Sequence, residues 1–331
     1  MKKQPIRVLV TAVGSPLGQS IIKALRLSSL PIKIFVSDIS PMAGGFFMGT
    51  GTAPIILPSV RDKNFDRVFK QMILKHRITC IFPVLEIEHD YFHREKSWFD
   101  EHHVQIVTDE KEILDRCYDK FTCMTYLSER DIAVPDTLIG KNGKNLQTFM
   151  KTHPFPLFLK PRFGASNTDT FVVHTQKELN ALLETRPKRY FILQTYLPDL
   201  PEYTVGVYRS RDGTFERTCV IQRELKFGLS YKGTVIRNQI ISDYALSVAR
   251  ALELTFSSNI QLRLKHGVPY AFEVNPRLSS TTSVRAHFGF NEPEMILLEL
   301  YSSLTRYSKK LKTGSFVRLW EEHYLPPSIH L

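Results

Sequence analysis

The chain has 331 residues, of which 43% are hydrophobic and 23% charged, a balance that excludes a disordered or fibrous protein. The length predicts about two domains with a sizeable core. Lys and Arg number 44 against 33 Asp and Glu, a formal net charge of +11. This surplus favours acidic partners such as nucleotides, or serves only solubility, and no long basic run indicates a nucleic-acid-binding tail.

The cysteines and the apolar runs exclude further classes. Cys80, Cys117, Cys123 and Cys219 show no CxxC spacing, so neither a disulfide framework nor a zinc site is predicted. The apolar run near the N-terminus lacks a cleavage site and is typical of a first strand, and no 18-residue apolar stretch follows. We therefore expect a cytoplasmic protein without membrane or nucleic-acid partners.

Strand and helix patterns alternate in the first third of the chain. Strands are predicted at 6–14, 32–40, 78–84 and 104–108, and helices at 18–28, at 64–77 and over the run DEKEILDRCYDKFTCMTYLSERD. Such alternation is typical of a parallel sheet with helices on both faces. After about residue 135 the pattern changes to strands broken by Pro and Gly, with helices around TQKELNALLET, at 240–254 and at 292–305.

The segment FEVNPRLSS carries an acid, an amide and a guanidinium at alternate positions. Side chains alternate along a strand, so Glu273, Asn275 and Arg277 share one face, while Phe272 and its alternates face a core. A turn at His266-Gly267 places Gln261 opposite Glu273 on the neighbouring strand. Oxygen ligands beside a cation suit Mg²⁺ that holds a phosphate. An ordinary half-exposed strand ending in a turn is the alternative.

Four segments resemble the ATP-grasp superfamily, and especially the large subunit of carbamoyl-phosphate synthase. NIQLRLKHGVPYAFEVNPRLSS is similar to its metal-binding hairpin, and FILQTYLPDLPEYTVGV to its adenine hinge. CYDKFTCMTYLSERDIAVPDT and FPLFLKPRFGASN are similar to its two lysine-bearing segments. The resemblance implies a Rossmann-like α/β domain at 1–115, then an α+β ATP-grasp domain of two subdomains at 116–190 and 191–310, and a tail at 311–331.

The resemblance also implies ATP and Mg²⁺ (or Mn²⁺) as cofactors, and a role for each matching residue. Lys120 and Lys160 would hold the α- and β-phosphates, and Arg277 with Lys160 would act on the transferring phosphoryl group. The remaining expected roles are adenine and ribose contacts for Gln194, Tyr196, Leu197 and Glu202, and metal ligation for Gln261, Glu273 and Asn275. RFGASNTD would close over the phosphates. Lys160 and the single nearby glycine, Gly164, depart from the synthase pattern, which puts carbamoyl phosphate in doubt as a product.

Candidates for the acceptor substrate are weaker. Gly14 and Ser15 lie in a Gly-containing turn without a GxGxxG fingerprint, Glu86 follows the third strand, and Lys226 and Arg237 lie in a basic stretch. Structural turns and solvated charges are the alternative readings. His89 and His93, four residues apart, are more typical of a surface pair than of metal ligands.

The implied activity is an ATP- and Mg²⁺-dependent ligase that activates a carboxylate as an acyl-phosphate for attack by an amine. Its partners would be a small-molecule carboxylate and amine, and a homodimer is possible for this class. One alternative is a single carbamoyl-phosphate-synthase-like module that phosphorylates bicarbonate or carbamate beside a partner protein. A second is an ATP-binding regulatory protein without ligase activity.

Overall fold

The computed structural model describes residues 4–140, 144–164, 169–186, 190–197 and 201–324. Residues 165–168 of the predicted phosphate-covering loop RFGASNTD (162–169) and the tail end at 325–331 lie outside them. The strands are β1 Ile6–Val10, β2 Ile32–Asp38, β3 Ile55–Ile56, β4 Cys80–Phe82, β5 Gln105–Ile106, β6 Thr137–Gly140, β7 Leu157–Pro161, β8 Phe171–Val173, β9 Phe191–Thr195, β10 Glu202–Arg209, β11 Glu216–Lys226, β12 Leu229–Ile236, β13 Phe256–Lys265, β14 Val268–Asn275 and β15 Gly314–Val317. The α-helices are α1 Pro16–Arg26, α2 Phe65–His76, α3 Glu86–Arg94, α4 Lys96–Glu101, α5 Lys111–Tyr118, α6 Lys120–Ser128, α7 Lys144–Thr152, α8 Gln176–Thr185, α9 Gln239–Ala251, α10 Thr282–His287 and α11 Glu292–Tyr301.

The first five strands form one parallel sheet in the order β3-β2-β1-β4-β5, which confirms the predicted α/β domain. Its central strand is buried on both faces, as the unbroken apolar run Val8–Val10 requires. The two-residue strand β3 was not predicted, because its apolar residues are enclosed by Pro54 and Pro58, whereas the equally short β5 lies within a longer, mostly apolar run. The long helix predicted after residue 108 is two helices, because Asp119 ends α5 and its side chain caps α6.

A second, four-stranded antiparallel sheet has the order β6-β9-β7-β8. Helices α7 and α8 pack on it through a small core that includes Leu146, Leu159 and Leu179. Because β9 pairs with both β6 and β7, this sheet ends at Thr195, five residues beyond the boundary expected at residue 190.

The third sheet is antiparallel, with six strands in the order β14-β13-β10-β11-β12-β15. Its last strand, Gly314–Val317, lies in the stretch expected to be a tail. Beyond it the chain continues along the molecule: Trp320 stacks on Phe227, and His323 stacks on Phe47 of the N-terminal domain. A shared core also joins the N-terminal sheet to this one, and α1 packs against α10 and α11.

A β-bulge sets the register of the hairpin formed by β13 and β14. The predicted turn at His266-Gly267 is present, and Gln261 lies opposite Glu273 as expected. The two-residue turn alone would place Gln261 opposite Phe272, and the bulge between Gln261 and Leu262 shifts the register by one residue. The expectation that Phe272 faces a core is wrong, since this extra residue of the bulge lines the cleft described below.

Of the described helices, none is long and apolar enough to span a lipid bilayer.

Candidate active site

A cleft of about 990 Å³ lies where the three sheets meet. The N-terminal domain contributes the turn before α1 and the start of α3. The four-stranded sheet contributes β7, and the six-stranded sheet contributes one face of β10, β11, β13 and β14. Nine of the predicted site residues line it: Ser15, Glu86, Lys120, Lys160, Glu202, Gln261, Glu273, Asn275 and, from the loop after β14, Arg277.

The side chains of Glu273 and Asn275 on β14 are hydrogen-bonded to each other. Nδ2 of Asn275 donates to Oε1 of Glu273 at 3.0 Å, so the amide oxygen of Asn275 is left to accept or to ligate a cation. Burial opposes ionisation of Glu273, but the charges of Lys160 and Lys120 outweigh it and hold the pKa of the carboxyl below its usual value. Glu273 is therefore an anion beside two lysines, and these two side chains present oxygen to the cleft.

Gln261 is engaged differently. Its Oε1 accepts a 2.7 Å hydrogen bond from the guanidinium of Arg223, so a cation would compete with Arg223 for this oxygen. Metal ligation by Gln261 stays a prediction. Among the residues that the structure describes, no three His, Cys, Asp or Glu side chains form a metal-binding cluster. A cation here would rely on Glu273, on amide oxygens and on a bound phosphate, which fits Mg²⁺ with its preference for few carboxylates plus substrate oxygens.

The two predicted ATP-binding lysines meet the cleft from different elements. Lys160 on β7 is buried, and its ammonium donates to the carbonyl of Phe272 at 2.7 Å. Burial lowers the pKa of Lys160 to about 8, against the opposing charge of Glu273. Lys120, the first residue of α6, donates to the carbonyl of Gly164 at 2.5 Å.

Glu202 is buried between two arginines. One oxygen accepts from Arg223 at 2.8 Å and the other from Arg263 at 2.7 Å. Sequence reasoning missed Arg223, which neutralises Glu202 and also holds Gln261. A ribose contact by Glu202 stays a prediction, and it would have to share oxygens that already accept from guanidinium groups.

The predicted adenine hinge lies at the end of β9. The side chains of Gln194, Tyr196 and Leu197 do not line the cleft. Nε2 of Gln194 donates to Thr137 within the small sheet at 2.9 Å, and Leu197 is buried. Tyr196 is half-buried. Adenine contact through the backbone of Tyr196 and Leu197 stays a prediction, and residues 198–200, which follow, lie outside the described residues.

The guanidinium of Arg277 forms no ion pair with any described residue. It is half-buried, one Nη donates to the carbonyl of Leu278 at 3.1 Å, and its Nε is buried without a hydrogen-bond partner. No carboxylate of the described part of the chain lies within ion-pair distance of it. A charged group in this state favours an anionic ligand.

The residues predicted to bind the acceptor substrate fall into two groups. Ser15 and Glu86 line the cleft, although the hydroxyl of Ser15 already caps α1 by accepting from the Gly18 amide at 3.1 Å. Gly14, Lys226 and Arg237 are absent from its lining: the Gly14 amide donates to Asp38, Arg237 donates to a backbone carbonyl, and the Lys226 ammonium lies over aromatic rings. Their expected substrate contacts therefore lack support from the cleft geometry.

Asn259 is a further cleft residue that sequence reasoning missed. Its Oδ1 accepts from Thr204 at 2.8 Å and from Arg285 at 2.9 Å, so its amide nitrogen is left as a donor. Arg285 is fully buried and paired with the equally buried Glu292. The signal was present in the sequence, because Asn259 lies two residues before Gln261 and hence on the same strand face.

The reading of His89 as a surface residue is wrong. It is 2% exposed, and its Nδ1 lies 2.7 Å from the hydroxyl of Thr108, because this face of α3 packs toward α5 rather than toward solvent.

Residues 188–322 match the family model described as ATP-grasp in the biosynthetic pathway with Ter operon. One parallel and two antiparallel sheets meet at a cleft that contains both lysines, and this architecture agrees with the match. The chain has an ATP-grasp fold. The N5-carboxyaminoimidazole synthetase of Staphylococcus aureus, solved with ADP, superposes with a TM-score of 0.76 at 14% identity, covering 96% of this chain and 84% of that one.

Two more proteins are similar to this chain. The L-amino acid ligase of Bacillus licheniformis superposes with a TM-score of 0.68 at 14% identity, over 95% of this chain and 80% of that one. In sequence, 184 residues are 28% identical to the carbamoyl phosphate synthase arginine-specific large chain of Geobacillus stearothermophilus. That match covers 52% of this chain and only 17% of the relative, so the chain corresponds to a small part of the larger protein.

Proposed function

We propose that this ATP-grasp protein is an ATP- and Mg²⁺-dependent ligase that activates a carboxylate as an acyl-phosphate and joins it to an amine. The observation that supports this most is the convergence of Lys120, Lys160 and Arg277 on one cleft beside Glu273 and Asn275. Phosphoryl transfer requires positioned cations around the transferring group, and this cleft supplies three from separate elements.

Each side chain has a role that follows from its surroundings. Lys120 and Lys160 would exchange their backbone carbonyl acceptors for phosphate oxygens, since both ammonium groups already lie in the cleft. Glu273 and Asn275 would hold Mg²⁺, which when bound neutralises phosphate charge. Arg277, which lacks an acid partner among the described residues, would stabilise the negative charge on the transferring phosphoryl group and on the activated carboxylate.

The ligase class also accounts for the size of the cleft. A volume of about 990 Å³ holds a nucleotide with room for a second substrate, and the wall formed by Ser15, Leu17 and Glu86 belongs to a different domain from the lysines. Similar architecture in an amino acid ligase supports joining chemistry. A purely regulatory ATP-binding protein would not need the unpaired Arg277.

A second candidate is phosphorylation of bicarbonate or carbamate, which the sequence match to a carbamoyl phosphate synthase large chain favours. Because the match covers 17% of that relative, this reaction would require a partner protein to complete it.

The test is ADP release from ATP and Mg²⁺ in the presence of amino acids, other small carboxylates, or bicarbonate with ammonia. The variant Glu273→Gln removes the carboxylate, and Glu101→Gln, at the exposed end of α4, serves as the matched control. Stimulation by one acid that Glu273→Gln abolishes and Glu101→Gln retains would support the ligase. Stimulation by bicarbonate alone would favour the second candidate, and ATP binding without turnover on any acid would contradict both.

A further inference from the structure

Arg223 on β11 is a buried cation in the lining of the cleft. It is 9% exposed, and its guanidinium donates to three side chains. Nε and Nη2 donate to one oxygen of Glu202 at 3.1 and 2.8 Å, Nη1 donates to the hydroxyl of Ser230 at 3.1 Å, and Nη2 donates to the oxygen of Gln261 at 2.7 Å. A guanidinium has five N–H groups, so these bonds leave one N–H of Nη1 for a ligand.

Two of these partners fix the guanidinium independently of Gln261. Glu202 is 5% exposed and lies directly opposite Arg223 on β10, and Ser230 on β12 is fully buried. The two strands are the neighbours of β11 in the sheet. Moving the guanidinium away from Gln261 would take a charged partner from the buried Glu202, which is unfavourable. The sheet therefore sets the position of Arg223, whatever Gln261 binds.

Most carboxylate and amide oxygens on this face of the sheet are already in use. Both oxygens of Glu202 accept from arginines, and Oδ1 of Asn259 accepts two hydrogen bonds. The oxygen of Gln261 lies 2.7 Å from Nη2 of Arg223, so a metal ion at that oxygen would stand beside a like charge. In the described part of the cleft, the ligand oxygens of this sheet that remain for a metal ion are those on β14.

Arg223 acts on the same carboxylate as the two lysines. Burial raises the pKa of Glu273, but the charges of Lys160 and Lys120 outweigh burial, and Arg223 adds to their effect. ATP with one Mg²⁺ keeps a net negative charge, whereas two divalent ions would neutralise its phosphates. A cleft that already presents these cations and Arg277 therefore suits a nucleotide that carries a single metal ion.

We propose that Arg223 binds a phosphate group of the nucleotide in the place of a second metal ion, so that this cleft works with one Mg²⁺. The inference rests on the ATP-dependent function proposed above and names a further residue of the same site. Glu273 and Asn275 would hold the ion, and Gln261 would hold Arg223. Because a guanidinium is charged at every working pH and metal concentration, the nucleotide with one metal ion is the complete ligand.

The first test counts the metal ions bound by the wild type and needs no turnover. Mn²⁺, which suits the same oxygen ligands as Mg²⁺, is titrated into the full chain with an equal amount of β,γ-imido-ATP, and free Mn²⁺ is read from its EPR signal. We expect one tightly bound Mn²⁺ per chain, and the affinity for the analogue should not rise with further Mn²⁺. Two tightly bound Mn²⁺ per chain would overturn the proposal.

The same titration separates this proposal from the ligase function. An analogue that binds with one Mn²⁺ supports the role of Arg223 even if no acid stimulates ADP release, in which case only the ligase function fails. An analogue that does not bind at all would overturn both.

The second test separates a phosphate contact from neutralisation of Glu202. Glu202→Gln is compared with the double variant Glu202→Gln, Arg223→Met, because both lack the buried carboxylate and differ only in the guanidinium. The double variant should bind the analogue about tenfold or more weakly, the effect of one lost hydrogen bond to a charged group. Arg61→Met, at an exposed position outside the cleft, should bind like the wild type. Equal affinities of Glu202→Gln and the double variant would show that Arg223 has a structural role only.

Discussion

The ammonium of Lys160 donates to the carbonyl of Phe272, the extra residue of the hairpin bulge, across a distance of 2.7 Å. A bulge leaves its extra residue out of the strand ladder, so this carbonyl is free to accept from another sheet. The same irregularity sets Glu273 opposite Gln261. One inserted residue thus fixes the register of the proposed metal ligands and gives the buried lysine an acceptor before any phosphate arrives.

Nucleotide binding should take up a proton at alkaline pH. Lys160 has a pKa of about 8 without ligand, and phosphate oxygens would raise it, so only the protonated form binds well. Affinity should be highest below pH 8 and fall by up to about tenfold per pH unit above it. Calorimetry at pH 8 to 9 in two buffers of different ionisation enthalpy would count the proton.

The matched variants for that experiment are Lys160→Met and Lys177→Met, the latter in an exposed position on α8. Proton uptake should disappear in the first and persist in the second. Uptake that persists in Lys160→Met would assign the titration to another group.

Loss of the Glu273 carboxylate should abolish turnover while leaving the fold intact. Glu273→Gln keeps the hydrogen-bonding geometry toward Asn275 but removes the only carboxylate among the three proposed metal ligands. We expect kcat to fall by about two orders of magnitude or more, the scale on which groups that stabilise transition-state charge act. Steady-state ADP release and a thermal melt measure the two effects. A loss of activity accompanied by a large drop in melting temperature would instead indicate a structural role.

Acid should destabilise the protein through His89. Its folded-state pKa of about 4 lies below the unfolded value of about 6.5, so the unfolded chain binds the proton first as pH falls. This contribution is absent above pH 6.5 and reaches a loss of about 3 kcal/mol near pH 4. Urea unfolding at a series of pH values should show a shallower decline for His89→Gln than for the wild type. Parallel curves would contradict the assignment.

Breaking the buried ion pair beneath the cleft should cost far more than replacing it. Arg285 and Glu292 are both 0% exposed and 2.6 Å apart. Glu292→Gln should lower the free energy of unfolding by about 3–5 kcal/mol, because it leaves a buried charge unpaired. The double variant Arg285→Met, Glu292→Met should be closer to the wild type. Denaturant melts of both single Met variants and of the double variant give these values. A loss in the double variant equal to the sum of the two single losses would disprove the coupling.

The close packing of Arg285 against Gly206 leads to a further prediction. A Cβ added at Gly206 would lie 2.5 Å from Nε of Arg285. Gly206→Ala should therefore destabilise the wild type strongly and an Arg285→Ala variant less, since that variant lacks all three side-chain atoms that the added Cβ would meet. A thermodynamic cycle over the four proteins measures this difference, and identical costs in both backgrounds would contradict the packing.

Sequence patterns predicted the parallel sheet and the β13–β14 hairpin because both have strong local signals. The apolar run of β1 and the turn residues His266-Gly267 each determine their element with little help from the rest of the chain. Short elements such as β3, and the break at Asp119, depend on tertiary pairing or on one cap, which a periodic pattern does not reveal.

The sequence predicted those site residues that lie close together on one strand. Glu273, Asn275 and Arg277 follow from alternation along β14, whereas Arg223 lies 38 residues before Gln261 in the chain and meets it only through sheet pairing. Lys226 shows the converse, because a basic stretch looks functional until its side chain is found over aromatic rings. Residue type predicted chemistry, but only the fold decides which side chains meet.

The path of the C-terminal segment has a practical consequence. β15 covers the outer edge of β12, Arg318 donates to the carbonyl of Ser280 beside the cleft, and His323 stacks on Phe47 in the first domain. Shortening the protein before residue 314 would uncover the edge of β12 at the four residues that pair with β15, 232–235, and leave a template for pairing between molecules. It would also remove a link between the first and last parts of the chain, so aggregation and loosening of the cleft should appear together.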